Sequence, residues 1–435
     1  ALAKKILKKA VIPKIEWAML VYASRSEVSN PREALNLYLK LARNNNCFAQ
    51  QRLSQAYLKG SFVEKNITQK YFWLLFAKVG GFRRRSEYHF PAKSSRYRLS
   101  SSSGRCLKNF LMKIFITGCC GFIGFNFANF LAKSDKKIRI IGIDNLNNYY
   151  SVNLKRKRLK ELNKNKNFIF YKIDINQYEK LKKLYKKYLF NYVFHFAAQA
   201  GVRYSLINPK AYIENNISGF FNVLNLSLEF NIKRLFYASS SSAYGELNKF
   251  PLKENYILKP KNIYGLSKKI NEEMVNVLLL KSKTLCIGLR FFTVYGEWGR
   301  PDMFMIKYLS ATYDKSKVFY LNNYGNHFRD FTYIQDVCKI LKKLIYSKFK
   351  HQHSILNICS SKPLKLTNII KMIDNLTLNK PKIKKRSLQK ADILKTHGDN
   401  SLVKNITGIK KFTDVSIGLK NTVEWFIKNR DTMNF

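Results

Sequence analysis

The run Lys113-Ile-Phe-Ile-Thr-Gly118-Cys-Cys-Gly121-Phe-Ile-Gly124 leaves few choices for the chain that contains it. An apolar strand runs into regularly spaced glycines, and Phe125 to Ala132 then reads as a helix. The first glycine permits a tight turn, the second lets a ligand approach the bare backbone, and the third lets helix pack on strand. The helix opens with unpaired amides around Phe122, Ile123 and Gly124 and a partial positive charge, which suit the pyrophosphate of a dinucleotide. A glycine triplet alone is weak; the strand before it and the helix after it supply the context.

From Lys113 onward strand and helix patterns alternate. Strands are expected at 113–118, 139–144, 167–174, 192–198, 234–240 and 284–292, with helices between them such as Leu154 to Leu162 and Ile217 to Phe230. This alternation predicts an α/β fold: a Rossmann-type doubly wound parallel sheet over about residues 112–290, then a smaller C-terminal substrate-binding part, mostly 291–435. In such sheets ligands lie across the carboxyl ends of the strands. Asp144 ends the second strand about 20 residues past the last glycine, where a carboxylate accepts ribose hydroxyls and repels a 2'-phosphate, so NAD is expected rather than NADP. Asn145 follows in the same loop, and Asp174 and Ile175 end the third strand beside the expected adenine edge. Ala197, Ala198 and Gln199 end the fourth, where small residues allow close approach to a cofactor.

Composition excludes several classes. With 46% hydrophobic and 14% aromatic residues over 435 positions, the chain is globular and long enough for two or more domains. No apolar run reaches the length of a bilayer span, and the basic start (Lys4, Lys5, Lys8, Lys9) lacks the uninterrupted apolar region of a signal peptide. The 7 scattered cysteines, without a CxxC pair or Cys/His cluster, predict reduced thiols in a cytoplasmic protein and no metal site. The net charge of +52, from 79 basic and 27 acidic residues, would attract phosphorylated or polyanionic partners. Yet the lysines are dispersed and come with abundant Asn, Ile, Tyr and Phe, as AT-rich coding drift produces. No nucleic-acid module is legible, so specific nucleic-acid binding is not expected.

Residues 1–82 read differently. Ala34 to Ala42 has an apolar helical face, and Tyr38, Leu39 and Ala42 recur as Trp73, Leu74 and Ala77. The spacing resembles Sel-type helical repeats, relatives of tetratricopeptide repeats, and would offer a surface to a protein partner. Fewer than two copies are visible where solenoids need about three, so a stray pair of amphipathic helices is the plain alternative. Residues 83–111 form a basic, serine-rich linker without periodicity, containing Arg83-Arg-Arg85 and Ser100 to Ser103. It is either a tether or read-through from an over-long reading frame, with Met112 the true start.

Tyr264-Gly-Leu-Ser-Lys268 places a phenol and an ammonium one helical turn apart on one face. The ammonium favours the phenolate and lowers the tyrosine pKa, which makes a usable base near neutrality. The spacing is cheap, since Tyr178/Lys182, Tyr313/Lys317 and Tyr346/Lys350 share it. Tyr264 is distinguished by the serine run Ser239-Ser-Ser-Ser242 at a strand end upstream.

From Met112 to about Ile427 the chain resembles the extended short-chain dehydrogenase/reductases, and most closely the UDP-glucuronate 4-epimerases. Beyond the serine run and Tyr264 to Lys268, the matching segments are Asp144-Asn-Leu-Asn-Asn-Tyr-Tyr150, His195-Phe-Ala-Ala-Gln-Ala-Gly-Val-Arg-Tyr-Ser205, Arg290-Phe-Phe-Thr-Val-Tyr-Gly296, Trp298-Gly-Arg-Pro-Asp-Met303 and Arg329-Asp-Phe-Thr-Tyr-Ile334. The resemblance implies NAD-dependent epimerisation of a UDP-hexuronate at C4. Tyr264 would take the 4-hydroxyl proton, Lys268 would hold the nicotinamide ribose, and Ser240 would be the catalytic serine, with Ser241 the close alternative. Asn215 matches a cofactor-side position. Arg300 is the implied partner of the hexuronate carboxylate, assisted by Thr293 and Arg203, and Arg329 the UDP-phosphate arginine. A homodimer is implied as well.

Serines at 241 and 242 separate the chain from related dehydratases, which carry Asp-Glu there, and from decarboxylases with a glutamate near 242. Departures are Glu297 where the family has proline, Lys390-Ala391-Asp392 for Pro-Gly-Asp, Ala243 for valine, and Cys119-Cys120 for a small pair. The first bears on the loop that orients Arg300. The alternatives are an epimerase of a neutral UDP-hexose and an inactive nucleotide-binding scaffold recruited through the N-terminal helices. The intact Ser/Tyr/Lys set argues against the scaffold.

Overall fold

A computed structural model describes residues 112–279, 282–389 and 392–433, and in the N-terminal part residues 23, 27, 29–43 and 47–59. The chain divides into two compact units, Ala1–Ser100 and Ser101–Phe435.

In the first unit, apolar positions one and two turns apart bring α1 (Pro31–Arg43) against α2 (Cys47–Lys59). Ala34, Tyr38, Leu41 and Ala42 bury against Ala49, Leu53 and Ala56. Gln50 Nε2 donates to the otherwise orphaned carbonyl of Ala42 at 2.9 Å. The second copy of the repeat pattern, at Trp73, Leu74 and Ala77, and the linker 83–111 lie outside the described residues.

In the second unit, unbroken apolar runs form strands covered on both faces. These are β1 (Met112–Thr117), β2 (Ile138–Asp144), β3 (Phe168–Lys172), β4 (Tyr192–His195), β5 (Arg234–Ser240) and β6 (Leu285–Phe291). Successive side chains point to opposite faces, so Ile114 and Ile116 join one core and Phe115 the other. Two further sheets follow in the C-terminal part. β7 (Thr293–Tyr295), β9 (Phe328–Tyr333) and β11 (Pro363–Lys365) form one, and β8 (Val318–Asn322) pairs with β12 (Lys382–Arg386) in the other.

The large sheet has the order β10-β6-β5-β4-β1-β2-β3, with every pair parallel. Its seventh strand, β10 (His353–Ile358), was not among the expected ones; it returns from the C-terminal part to pair with β6. Strands β3 and β4 stop short of their expected ends because the residues beyond them leave the sheet to line a crevice. Strand order reverses between β1 and β4, and the crevice opens there.

Among the described residues, no helix is long and apolar enough to cross a membrane. Nor does any group of three His, Cys, Asp or Glu residues come together to hold a metal ion.

Candidate active site

A cavity of about 650 Å³ lies between the carboxyl ends of the large sheet and the C-terminal part. Its floor is the glycine turn. Gly118 sits at φ +69, and a Cβ there would meet Ala197 N at 2.7 Å. A Cβ on Gly124 would lie 2.2 Å from the Gly118 carbonyl oxygen, so helix and turn touch through bare backbone. The helix α3 (Phe122–Ser134) starts earlier than expected, directly after Gly121, which is extended and makes no side-chain cap. Its first amides are therefore left for a ligand, and Phe122 and Ile123 line the cavity.

Asp144 at the end of β2 is held by two amides, Cys120 N at 3.1 Å and Leu146 N at 2.8 Å. Asn145 lines the cavity and donates to Asp174 Oδ2 at 2.7 Å. Asp174 thus stands behind Asn145, away from the wall, whereas Ile175 is on it. Sequence reasoning missed Lys155, in α4 (Val152–Asn163), which faces the cavity and donates to Asn147 O at 2.7 Å. Burial lowers its pKa, and the nearby Asp144 opposes that shift.

Ala197, Ala198 and Gln199 line the next stretch of wall. Asn215 is on the wall too, with its amide donating to Ala211 O at 2.8 Å. Its neighbour Asn216 was not expected to matter. It is buried, accepts from Gln199 N at 2.7 Å, and donates to Gln199 O and Ser267 Oγ, both at 3.0 Å. A π-helical stretch, Ile213–Gly219, carries both asparagines, a distortion that accumulates at functional sites.

On the opposite wall, Ser240 ends β5 and Tyr264 and Lys268 project from α5 (Ile263–Leu278). Asn262 caps this helix by accepting from Gly265 N at 2.8 Å. Ser240 stands close enough to Tyr264 to draw the phenol's pKa down, and Ser241 lines the cavity beside it. The expectation that Lys268 lowers the Tyr264 pKa does not hold. Burial pushes the phenol up, and the opposing pull comes from Ser240 and the charge of Arg300. The Lys268 ammonium is itself 1% exposed and tied to the Ala238 carbonyl at 2.8 Å, 5.9 Å from the centre of the Tyr264 ring. Burial lowers its pKa to about 8, with Glu272 one turn along resisting the shift.

The outer end of the cavity is cationic. Thr293 and Arg300 line it, and Arg300 already holds a carboxylate: Nε and Nη2 reach Asp302 at 2.9 and 2.6 Å. Burial works against ionisation of Asp302, but Arg300 and the Tyr149 hydroxyl hold its pKa below the usual range. Arg203 lines the same cavity. It forms a fork with Asp392 at 3.1 and 2.9 Å, and through Asp392 it neighbours Arg329. Arg329 lines the cavity, donates to Leu394 O at 3.1 Å, and is lowered by burial to about 10.

Residues 114–359 match the NAD dependent epimerase/dehydratase family. The chain belongs to this family. UDP-glucuronate 4-epimerase from Thermodesulfobacterium geofontis is 37% identical over 323 residues, covering 72% of this chain and 96% of the relative. A solved structure of UDP-glucuronic acid 4-epimerase from Bacillus cereus, in complex with UDP-glucuronic acid and NAD, is 26% identical. It covers 73% of this chain and 99% of that one, with a TM-score of 0.68. UDP-glucose 4-epimerase from Thermotoga maritima, with UDP-glucose, is 25% identical and covers 73% of this chain and 100% of that one, with a TM-score of 0.66.

As a family member the chain is an NAD-dependent enzyme, and its residues fit NAD. The helix amides above Gly121 are open, the glycine turn admits no Cβ, and Asp144 stands where a ribose diol can donate to it.

Proposed function

We propose that this enzyme interconverts UDP-glucuronate and UDP-galacturonate. The coarser class, a nucleotide-sugar 4-epimerase using NAD, follows from the family match and the named relatives. The observation that carries the finer reading is the set of groups that share the cavity with Tyr264: the hydroxyls of Ser240, Ser241, Ser242 and Thr293, and the guanidinium of Arg300. These groups bind a carboxylate, and hydroxyls at 241 and 242 give no acid/base pair for removing water.

NAD, when bound, accepts a hydride from C4 of the sugar and returns it to the other face. This chain's residues handle the protons and the posture of the substrate. Tyr264, as phenolate, takes the proton of the 4-hydroxyl and gives it back to the epimeric alkoxide. Ser240 donates to the same oxygen and pulls the Tyr264 pKa down against burial. Lys268 would hold the nicotinamide ribose. Gly118, Gly121, Phe122, Ile123, Gly124, Asp144, Asn145, Ile175, Ala197, Ala198, Gln199 and Asn215 would form the cofactor side, with Asp174 supporting Asn145 from behind. Arg203 and Arg329 face the diphosphate, and Thr293 and Arg300 the sugar.

One observation favours a second reading: Asp302 already occupies the Arg300 fork, as a site for a neutral UDP-hexose would permit. Assay with UDP-glucuronate and UDP-glucose separates the two. Turnover of the uronate is expected, and turnover of the neutral sugar alone would overturn the carboxylate reading.

The family resemblance further implies a homodimer. Sedimentation of the full chain tests the dimer.

A further inference from the structure

The loop that delivers Arg300 is fastened to the dinucleotide turn as well as to the C-terminal part, where Tyr333 donates to Glu297 Oε1 at 2.7 Å and Trp298 packs beside Trp425. Three successive carbonyls lead up to Arg300, those of Glu297, Trp298 and Gly299. All three are captured by two side chains from the helices that follow β1 and β2. Asn126, in α3, donates to Glu297 O at 3.2 Å and to Phe122 O at 2.9 Å. Arg158, in α4, is fully buried and gives Nη2 to Trp298 O and, at 3.3 Å, to Gly299 O. Its Nη1 reaches Cys120 O in the glycine turn at 2.9 Å and the Tyr150 hydroxyl at 2.8 Å. The loop needs such support, because Trp298 sits at φ +61, a left-handed conformation costly for a bulky residue. Its indole packs on Phe125, with ring centroids 4.8 Å apart.

A planar guanidinium with two donor edges suits this position. One nitrogen fixes the pyrophosphate loop and the other fixes the sugar loop, so their separation is set by a rigid group. We infer that Arg158 and Asn126 are positioning residues that form a strut, holding Arg300 at a fixed place relative to the bound dinucleotide. Neither touches the substrate. They act through the Glu297–Gly299 backbone, and the inference rests on the reading of Arg300 as a sugar-side group.

The test is a double-mutant cycle on the NAD-loaded full chain, using Asn126→Ala, Arg158→Lys and Arg300→Ala, with KM and kcat measured on UDP-glucuronate. Asn126→Ala and Arg158→Lys should each raise KM about fivefold, the worth of a hydrogen bond. They should change kcat by less than about twofold, the pattern of lost uniform binding. In the Arg300→Ala background the same substitutions should add nothing. An equal further rise in that background would overturn the strut, as would an unchanged KM in both single variants. Asn126→Ala removes one amide and leaves Arg158 in place, so it keeps the test open if Arg158→Lys fails to fold. Should the wild type turn over only UDP-glucose, the uronate reading falls, and the same cycle on UDP-glucose still judges the strut by its non-additivity.

Discussion

Tyr264 shares its stretch of cavity wall with Ser240 and Lys268, and this grouping turns a common helical spacing into a catalytic arrangement. Tyr264→Phe should lower kcat by about 10³-fold, within the range of a lost acid/base group, while the protein keeps its NAD. Nucleotide released on denaturation measures the second half, and a fully active variant would refute the assignment. Ser240→Ala should cost far more than Ser241→Ala, because Ser240 is the serine that draws the Tyr264 pKa down. Equal losses in the two variants would remove Ser240 from its role. Tyr264 and Lys268 were legible from helical spacing, whereas Ser240, Arg203, Arg300 and Arg329 were reached only through the family resemblance. What sequence could not tell is which partner a charge would find. Arg203 takes Asp392, a pairing set by a loop that folds back from far along the chain, while Arg300 turns to Asp302 within its own loop.

Elements were legible to the extent that their signals are local. The glycine turn, α3 and the first six strands follow from apolar runs and breakers over a few residues. The π-helical stretch does not, since Ile213 to Gly219 carries no periodicity distinct from an α-helix. The Asn216 side chain that locks it to Gln199 and Ser267 was missed for the same reason. The turn itself makes a sharp prediction. Gly124→Ala would drive a methyl to 2.2 Å from backbone oxygen, with no flexible side chain to yield. The variant should lose bound NAD and melt at a lower temperature. Retention of NAD with an unchanged Tm would show that the turn relaxes more readily than its packing implies.

Across the whole molecule, the buried His195 and the half-buried His353 set an acid limit. Burial lowers His195 to about 3 and His353 to about 4, from an ordinary 6.5. His195 bonds Thr117 Oγ1 at 2.9 Å, and His353 bonds the Tyr237 hydroxyl at 2.7 Å. Below 6.5 the unfolded chain takes up protons that the folded chain refuses, so their contribution to stability falls as pH drops from 6.5 toward about 4. Urea midpoints should therefore decline between about pH 7 and 5, above the range in which ordinary carboxylates titrate. His353→Gln should flatten that decline; an unaltered slope would assign the acid sensitivity elsewhere. Peptide mapping of the native protein decides whether residues 83–105 are translated, and recovery of those peptides is the expected outcome if the linker is a tether.

The strand β10 has one more consequence. Because the chain leaves the large sheet at Phe291 and re-enters it at His353–Ile358, the catalytic and sugar-binding parts are interlaced rather than consecutive. A protein cut after β6 would lack an edge of its own sheet. Relatives could not trade their C-terminal halves as cassettes. New sugar preferences in such an architecture must arise by altering loops in place, around a chamber whose width the shared sheet holds constant.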